Sequence, residues 1–81
     1  MEIKVLGPGC RNCEKLDTDT KQAAKEVGAD ATVTKVTDMA EIMRYGVLST
    51  PGLVINGKVK SYGRIPSVKE IRTWIEEEKK K

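Results

Sequence analysis

The chain has 81 residues, room for one domain spanning 1–81 and no more. A domain of this size buries only about 60–65% of its unfolded surface. With no Phe, one Trp and two Tyr, its thin core must come from Val, Ile, Leu, Met and Ala. The 15 basic and 12 acidic residues leave a net charge of +3. The basic residues are dispersed and not interleaved with aromatics, which argues against a nucleic-acid partner. No apolar stretch approaches the roughly 20 residues that span a bilayer. The opening Met1-Glu2-Ile3-Lys4 is not the basic-then-apolar pattern of a signal peptide. These features predict a cytoplasmic protein with no membrane partner.

Glu2–Leu6 is a short, partly β-branched run stopped by Gly7-Pro8-Gly9, and it reads as the first strand. A helix follows from about Arg11 to Val27. Cys13, Leu16, Thr20, Ala23, Ala24 and Val27 recur at threes and fours and form its buried stripe. Gly28 stands where a left-handed C-cap is expected. A strand over about Ala31–Val36 comes next. Asp38 and Glu41 form a capping-box pattern that starts a short helix through Tyr45, ended by Gly46. Gly52–Ile55 and Lys58–Tyr62 are strands joined by Asn56-Gly57, the strongest hairpin signal in the chain. Ser67 and Glu70 form a second capping box. It opens a last helix to about Lys79, with Val68, Ile71, Trp74 and Ile75 facing inward. The acidic run Glu76–Glu78 before Lys79–Lys81 reads as a solvated helix end, its cations suited to the macrodipole.

The order is βαβαββα, an α/β chain. A helix joins the first two strands, so they should be parallel with a right-handed crossover. The last two form an antiparallel hairpin. A four-stranded mixed sheet with helices on both faces would bury the apolar residues. Met39 and Met43, at helical spacing, read as core or surface packing rather than as metal ligands.

Cys10-Arg11-Asn12-Cys13 is a C-x-x-C at a strand-to-helix junction. Free backbone N–H groups and the helix dipole there favour an anion, and the thiolate is the nucleophile of disulfide exchange. Cys13 lies on the core-facing stripe and Cys10 on the loop side. That asymmetry assigns Cys10 as the attacking thiol and Cys13 as the one that resolves the mixed disulfide. Arg11 adds a positive charge beside the pair, largely screened where exposed. Three other readings compete. Two cysteines can be small core residues, but Cys10 follows a surface turn. A structural zinc site needs four ligands, and the chain has two Cys and no His. A metal or iron–sulfur site shared by a dimer remains open. A structural disulfide is disfavoured in the cytosol.

With Thr50-Pro51 directly before a strand and the Asn56-Gly57 hairpin, these residues resemble the thioredoxin superfamily over nearly the whole chain. The nearest likeness is to the small glutaredoxin-like thioredoxins of archaea and bacteria. The resemblance implies a thioredoxin-like fold and a cis-proline at Pro51 lying against the redox pair. It also implies that Thr50 and Pro51 present backbone to the substrate, with Arg11 and Asn12 beside it. The motif departs from the family's usual Trp-Cys-Gly-Pro-Cys and Cys-Pro-Tyr-Cys. Lys4 occupies the place of the buried acid of thioredoxins. Tyr62-Gly63-Arg64-Ile65 lacks the acids with which glutaredoxins hold glutathione.

The expected function is thiol–disulfide oxidoreduction by a monomer without a cofactor or a metal. Its partners would be disulfide-containing proteins and an electron donor of the thioredoxin-reductase type. The alternative is a metal or thiol carrier using the same cysteine pair as a transfer clip. Small copper-carrying domains have such a motif before a helix, but their order is βαββαβ, and Met and Thr stand where this chain has Pro8-Gly9.

Overall fold

In a computed structural model, which describes residues 1–9 and 11–80, the chain runs β1 (Glu2–Leu6), α1 (Arg11–Val27), β2 (Thr32–Val36), α2 (Met39–Arg44), β3 (Gly52–Ile55), β4 (Lys58–Tyr62) and α3 (Val68–Lys79). The strand order is β2-β1-β3-β4. β1 pairs parallel with β2 and antiparallel with β3, and β3 pairs antiparallel with β4. The mixed sheet is therefore the one the element order implies. β3 is central and all four of its residues are buried, so it reads as a continuous apolar run rather than an alternating one.

The two faces carry separate cores. Ile3, Val5, Leu53 and Ile55 meet Leu16, Ala23 and Ala24 of α1 and Ile71 and Ile75 of α3. On the other face Leu6, Val36 and Val54 meet Ile42 of α2 and Val47. Alternation along β1 sends Ile3 and Val5 to one core and Leu6 to the other. Asn56 and Gly57 take φ of 51° and 81°, the pair of positive values that a type I′ hairpin turn demands.

The boundaries differ from the sequence reading at two ends. β2 begins at Thr32, whose N–H donates to the carbonyl of Met1 at 3.0 Å and so makes the first rung. α2 stops at Arg44, with Tyr45 as its C-cap. Met39 and Met43 of α2 are exposed, which places them at the surface and not in the core.

One expectation is corrected. The α3 terminus is not wholly solvated: Glu78 is buried. Ile71, Ile75 and Glu78 fall at i, i+4 and i+7 on one helix face, and that face carries Glu78 over β4. There its Oε1 lies 3.5 Å from Lys58 and its Oε2 3.2 Å from Lys60. Among the described residues, no helix is long and apolar enough to cross a membrane.

The second capping box forms in full. Ser67 Oγ accepts from the Glu70 N–H at 3.1 Å, and Glu70 Oε1 accepts from the Ser67 N–H at 3.2 Å. Arg64 closes on the same carboxylate at 3.0 Å and, ahead of the Ser67 N–H, holds its pKa below the ordinary value. Ser67→Ala is expected to cost about 1 kcal/mol, read as a fall of roughly 4–8 °C in Tm for a domain of this size. A carboxylate with a lowered folded pKa stabilises above its unfolded value, and that stabilisation is lost as pH falls through the folded one. Arg64→Gln should therefore move the NMR titration of Glu70 upward and weaken this acid-side dependence.

Candidate functional site

The C-terminal end of β1 turns into α1 through Gly7-Pro8-Gly9, and the turn is shaped by two glycines with different tasks. Gly9 has φ of +97°, which side-chain-bearing residues rarely adopt. Gly7 does not have a positive φ; there the constraint is space. A β-carbon at Gly7 would overlap Cys13 Sγ, lie 3.0 Å from Cys13 Cβ and 3.9 Å from Thr50 Cβ. The Gly7 N–H donates to the Val36 carbonyl at 2.9 Å, which fixes this point to the end of β2. Gly7 is thus where β1, β2, α1 and the loop before β3 converge.

Cys13 is 4% exposed and faces this junction, while Arg11 and Asn12 of the same helical turn are exposed. Cys10, the expected attacking thiol, lies outside the described residues. The Thr50–Pro51 bond is cis, as the family resemblance implied, and Pro51 is buried beside half-buried Thr50. The Pro51 carbonyl accepts from the Gly63 N–H at 3.0 Å, which ties the loop to the end of β4. Cys13 and Thr50 therefore come together around Gly7, and Arg11 and Asn12 stand at the rim on the solvent side. Leu48, 87% exposed, and Tyr62, 55% exposed, flank the proline loop.

Lys4 faces the opposite side of the sheet. Its ammonium donates to Tyr45 Oη at 3.0 Å, sits 5.7 Å from the ring centroid and 3.4 Å from Glu2. The hydrogen bond to Tyr45 is the chief cause raising its pKa. With Glu41, Arg44 and Tyr45 it lines an open depression of about 290 Å³, on the α2 face and away from Cys13. Among the described residues, no three His, Cys, Asp or Glu side chains converge as metal ligands.

Sequence reasoning missed two features. The sequence marks Gly7 only as a strand stop, though its place directly after a strand and six residues before Cys13 is the available signal. Asp17 is 5% exposed on α1, four residues after Cys13 and at the edge of the apolar stripe. The periodicity contained it, but its charge hid it.

A family model described as thioredoxin domain matches residues 1–76. A thioredoxin of Methanothermobacter thermautotrophicus is 39% identical over 72 residues, covering 89% of this chain and 94% of its own length. A thioredoxin of Methanocaldococcus jannaschii is 40% identical over 70 residues, covering 86% of this chain and 80% of its own.

Gly7→Ala tests the junction. The added methyl must displace the Cys13 sulfur or part α1 from β1, and overpacking of this kind costs about 1–3 kcal/mol. A clear fall in Tm is expected, with a slower disulfide-exchange rate. An alanine variant of unchanged Tm and rate would show that the junction has slack.

Proposed function

The chain belongs to the thioredoxin family, and we propose that it reduces disulfides in protein substrates through a Cys10/Cys13 dithiol. The observation that supports this most is the convergence of buried Cys13, Gly7 and the Thr50–Pro51 loop at the start of α1. α1 begins at Arg11, the residue after Cys10. A thiol at that place in the sequence gains from the helix N-terminus when it ionises.

In this reading the Cys10 thiolate attacks the substrate disulfide, releases one substrate thiol and leaves a mixed disulfide. Cys13 then attacks the Cys10 sulfur and releases the second thiol. Thr50 and Pro51 present backbone to the substrate strand, and exposed Leu48 and Tyr62 supply apolar contact beside them. Arg11 and Asn12 border the same rim. The protein acts as a cytoplasmic monomer, without a metal, and is recharged by a thioredoxin-reductase-type donor. The carrier reading gains nothing from the family match.

Insulin reduction tests the assignment. Cys10→Ser should abolish turnover without trapping substrate. Cys13→Ser should attack but not release, so that a mixed disulfide accumulates and is visible by mass. In the reduced protein, Cys10 should alkylate with iodoacetamide faster than Cys13. Full turnover by Cys13→Ser, or faster labelling of Cys13, would sink the proposed roles.

A further inference from the structure

The sheet has two edges, and the chain treats them differently. β4 forms one. Its pairing with β3 slips between Leu53 and Val54, which leaves Lys60 as the extra residue. Such a bulge at an edge strand discourages further pairing. β2 forms the other edge. Its register with β1 runs from Thr32 to Val36 without a slip and without a proline. Its lysine, Lys35, is drawn onto Glu14 of α1 at 2.8 Å.

The hydrogen bonds of β2 show which of its backbone groups face outward. The Thr32 N–H donates to Met1 and the Val36 carbonyl accepts from Gly7, so the even-numbered residues turn their backbone groups toward β1. Alternation sends the N–H and C=O groups of Val33 and Lys35 the other way. They stand at the edge with no strand beyond them. On the α1 side of that edge lies an open depression of about 320 Å³. Ala24, Ala29, Ala31 and Val33 supply its apolar wall, and exposed Lys21 and Lys25 supply its charge. Lys21 is shared with Asp17 at 3.1 Å. Lys25 has no ion-pair partner among the described residues. No acid lines the depression, Asp30 between Ala29 and Ala31 included.

We propose that β2 accepts an extended acidic segment of a partner protein as a further strand, seated over this depression. The main chain of the segment pairs with Val33 and Lys35. Side chains alternate along a strand, so every second one faces α1. The one opposite Val33 is apolar and enters the depression. Its neighbours on that face are acidic and reach Lys21 and Lys25. Main-chain bonds supply the affinity and the depression supplies the selection, as in other cases of strand addition. A second copy of this chain is the poorer occupant. Pairing β2 with β2 brings Lys21, Lys25 and Lys35 of both copies to one seam, where like charges repel. The depression lies at the Ala31 end of β2, and the Gly7–Cys13 junction lies at the Val36 end. A partner anchored there leaves the Cys13 end of the sheet uncovered, so this surface stands apart from the dithiol reading.

The test uses the full chain and a capped peptide, Thr-Glu-Thr-Val-Thr-Glu-Thr, in which the valine and both glutamates share one face. Titrated into isotope-labelled protein, it should shift the Val33 and Lys35 amide signals to saturation and slow their exchange with solvent. Two peptide controls need no variant to fold. Replacing both glutamates by lysine should weaken binding by about tenfold. Methylating the alternate peptide nitrogens that point at the edge should abolish it. The double variant Lys21→Glu with Lys25→Glu should prefer the lysine peptide. Insulin reduction should proceed at the same rate with and without saturating peptide. No saturable shift at Val33 and Lys35 would overturn the proposal. So would a lysine peptide bound as tightly as the acidic one, or binding that survives methylation in either alternation. Slower insulin reduction with peptide would place the segment on the Cys13 face and overturn it too. Protection of the same amides that rises with protein concentration alone would make a second copy the occupant, against the proposal.

Discussion

The close approach of Cys13 to the backbone of Gly7 is the contact on which the rest of the site depends. α1 can begin directly at the end of β1 only if nothing projects from the strand there, and Gly7 supplies that vacancy of side chain. Its N–H is meanwhile spent on β2, and Thr50 closes the same point from the loop before β3. A junction bounded on every side leaves the buried cysteine little room to move. Effective molarity in an intramolecular exchange comes from such restriction, because the orientation is settled before the reaction.

The sheet divides its labour between faces. The face covered by α1 and α3 holds the larger core and ends at Cys13. The α2 face holds a smaller one, whose exposed edge is filled by Lys4 and Tyr45. Alternation along β1 makes the division automatic: Ile3 and Val5 can only face α1 if Glu2, Lys4 and Leu6 face away. Lys4 therefore stands across the sheet from Cys13, and its ammonium is committed to Tyr45 and Glu2.

Much of this was legible in the residues because local signals and tertiary demands agreed. Asn56-Gly57 needed two positive φ values and has them. Ser67 and Glu70 closed their box, the stripe from Cys13 to Ala24 was buried, and the Thr50–Pro51 bond is cis. The illegible parts share one cause: a side chain's surroundings are decided by elements distant in sequence. The spacing of Met39 and Met43 leaves core and surface open, and so short an α2, six residues long, buries only Ile42. Gly7 reads as punctuation until Cys13 and Thr50 are placed beside it. Glu78 reads as surface charge until α3 is laid over β4.

Two buried carboxylates in so small a domain invite comparison, and the comparison separates structure from chemistry. Glu78 lies near the C-terminus of α3, where the helix dipole opposes an anion. Each of its oxygens is met by a lysine from β4, so the charge is compensated where it is buried. Such a pair fastens α3 to the hairpin and leaves no acceptor over. Asp17 has its lysines on one oxygen only. Were its task to fasten α1 to β2, exposed Glu14, which already holds Lys35 at 2.8 Å, would serve without burial. Burying a second acid one turn from Cys13 adds a desolvation cost and little further anchoring. On the same buried stripe Thr20 Oγ1 is likewise without a hydrogen-bond partner among the described residues, so this layer carries uncompensated polar oxygens where the α3–hairpin contact carries none.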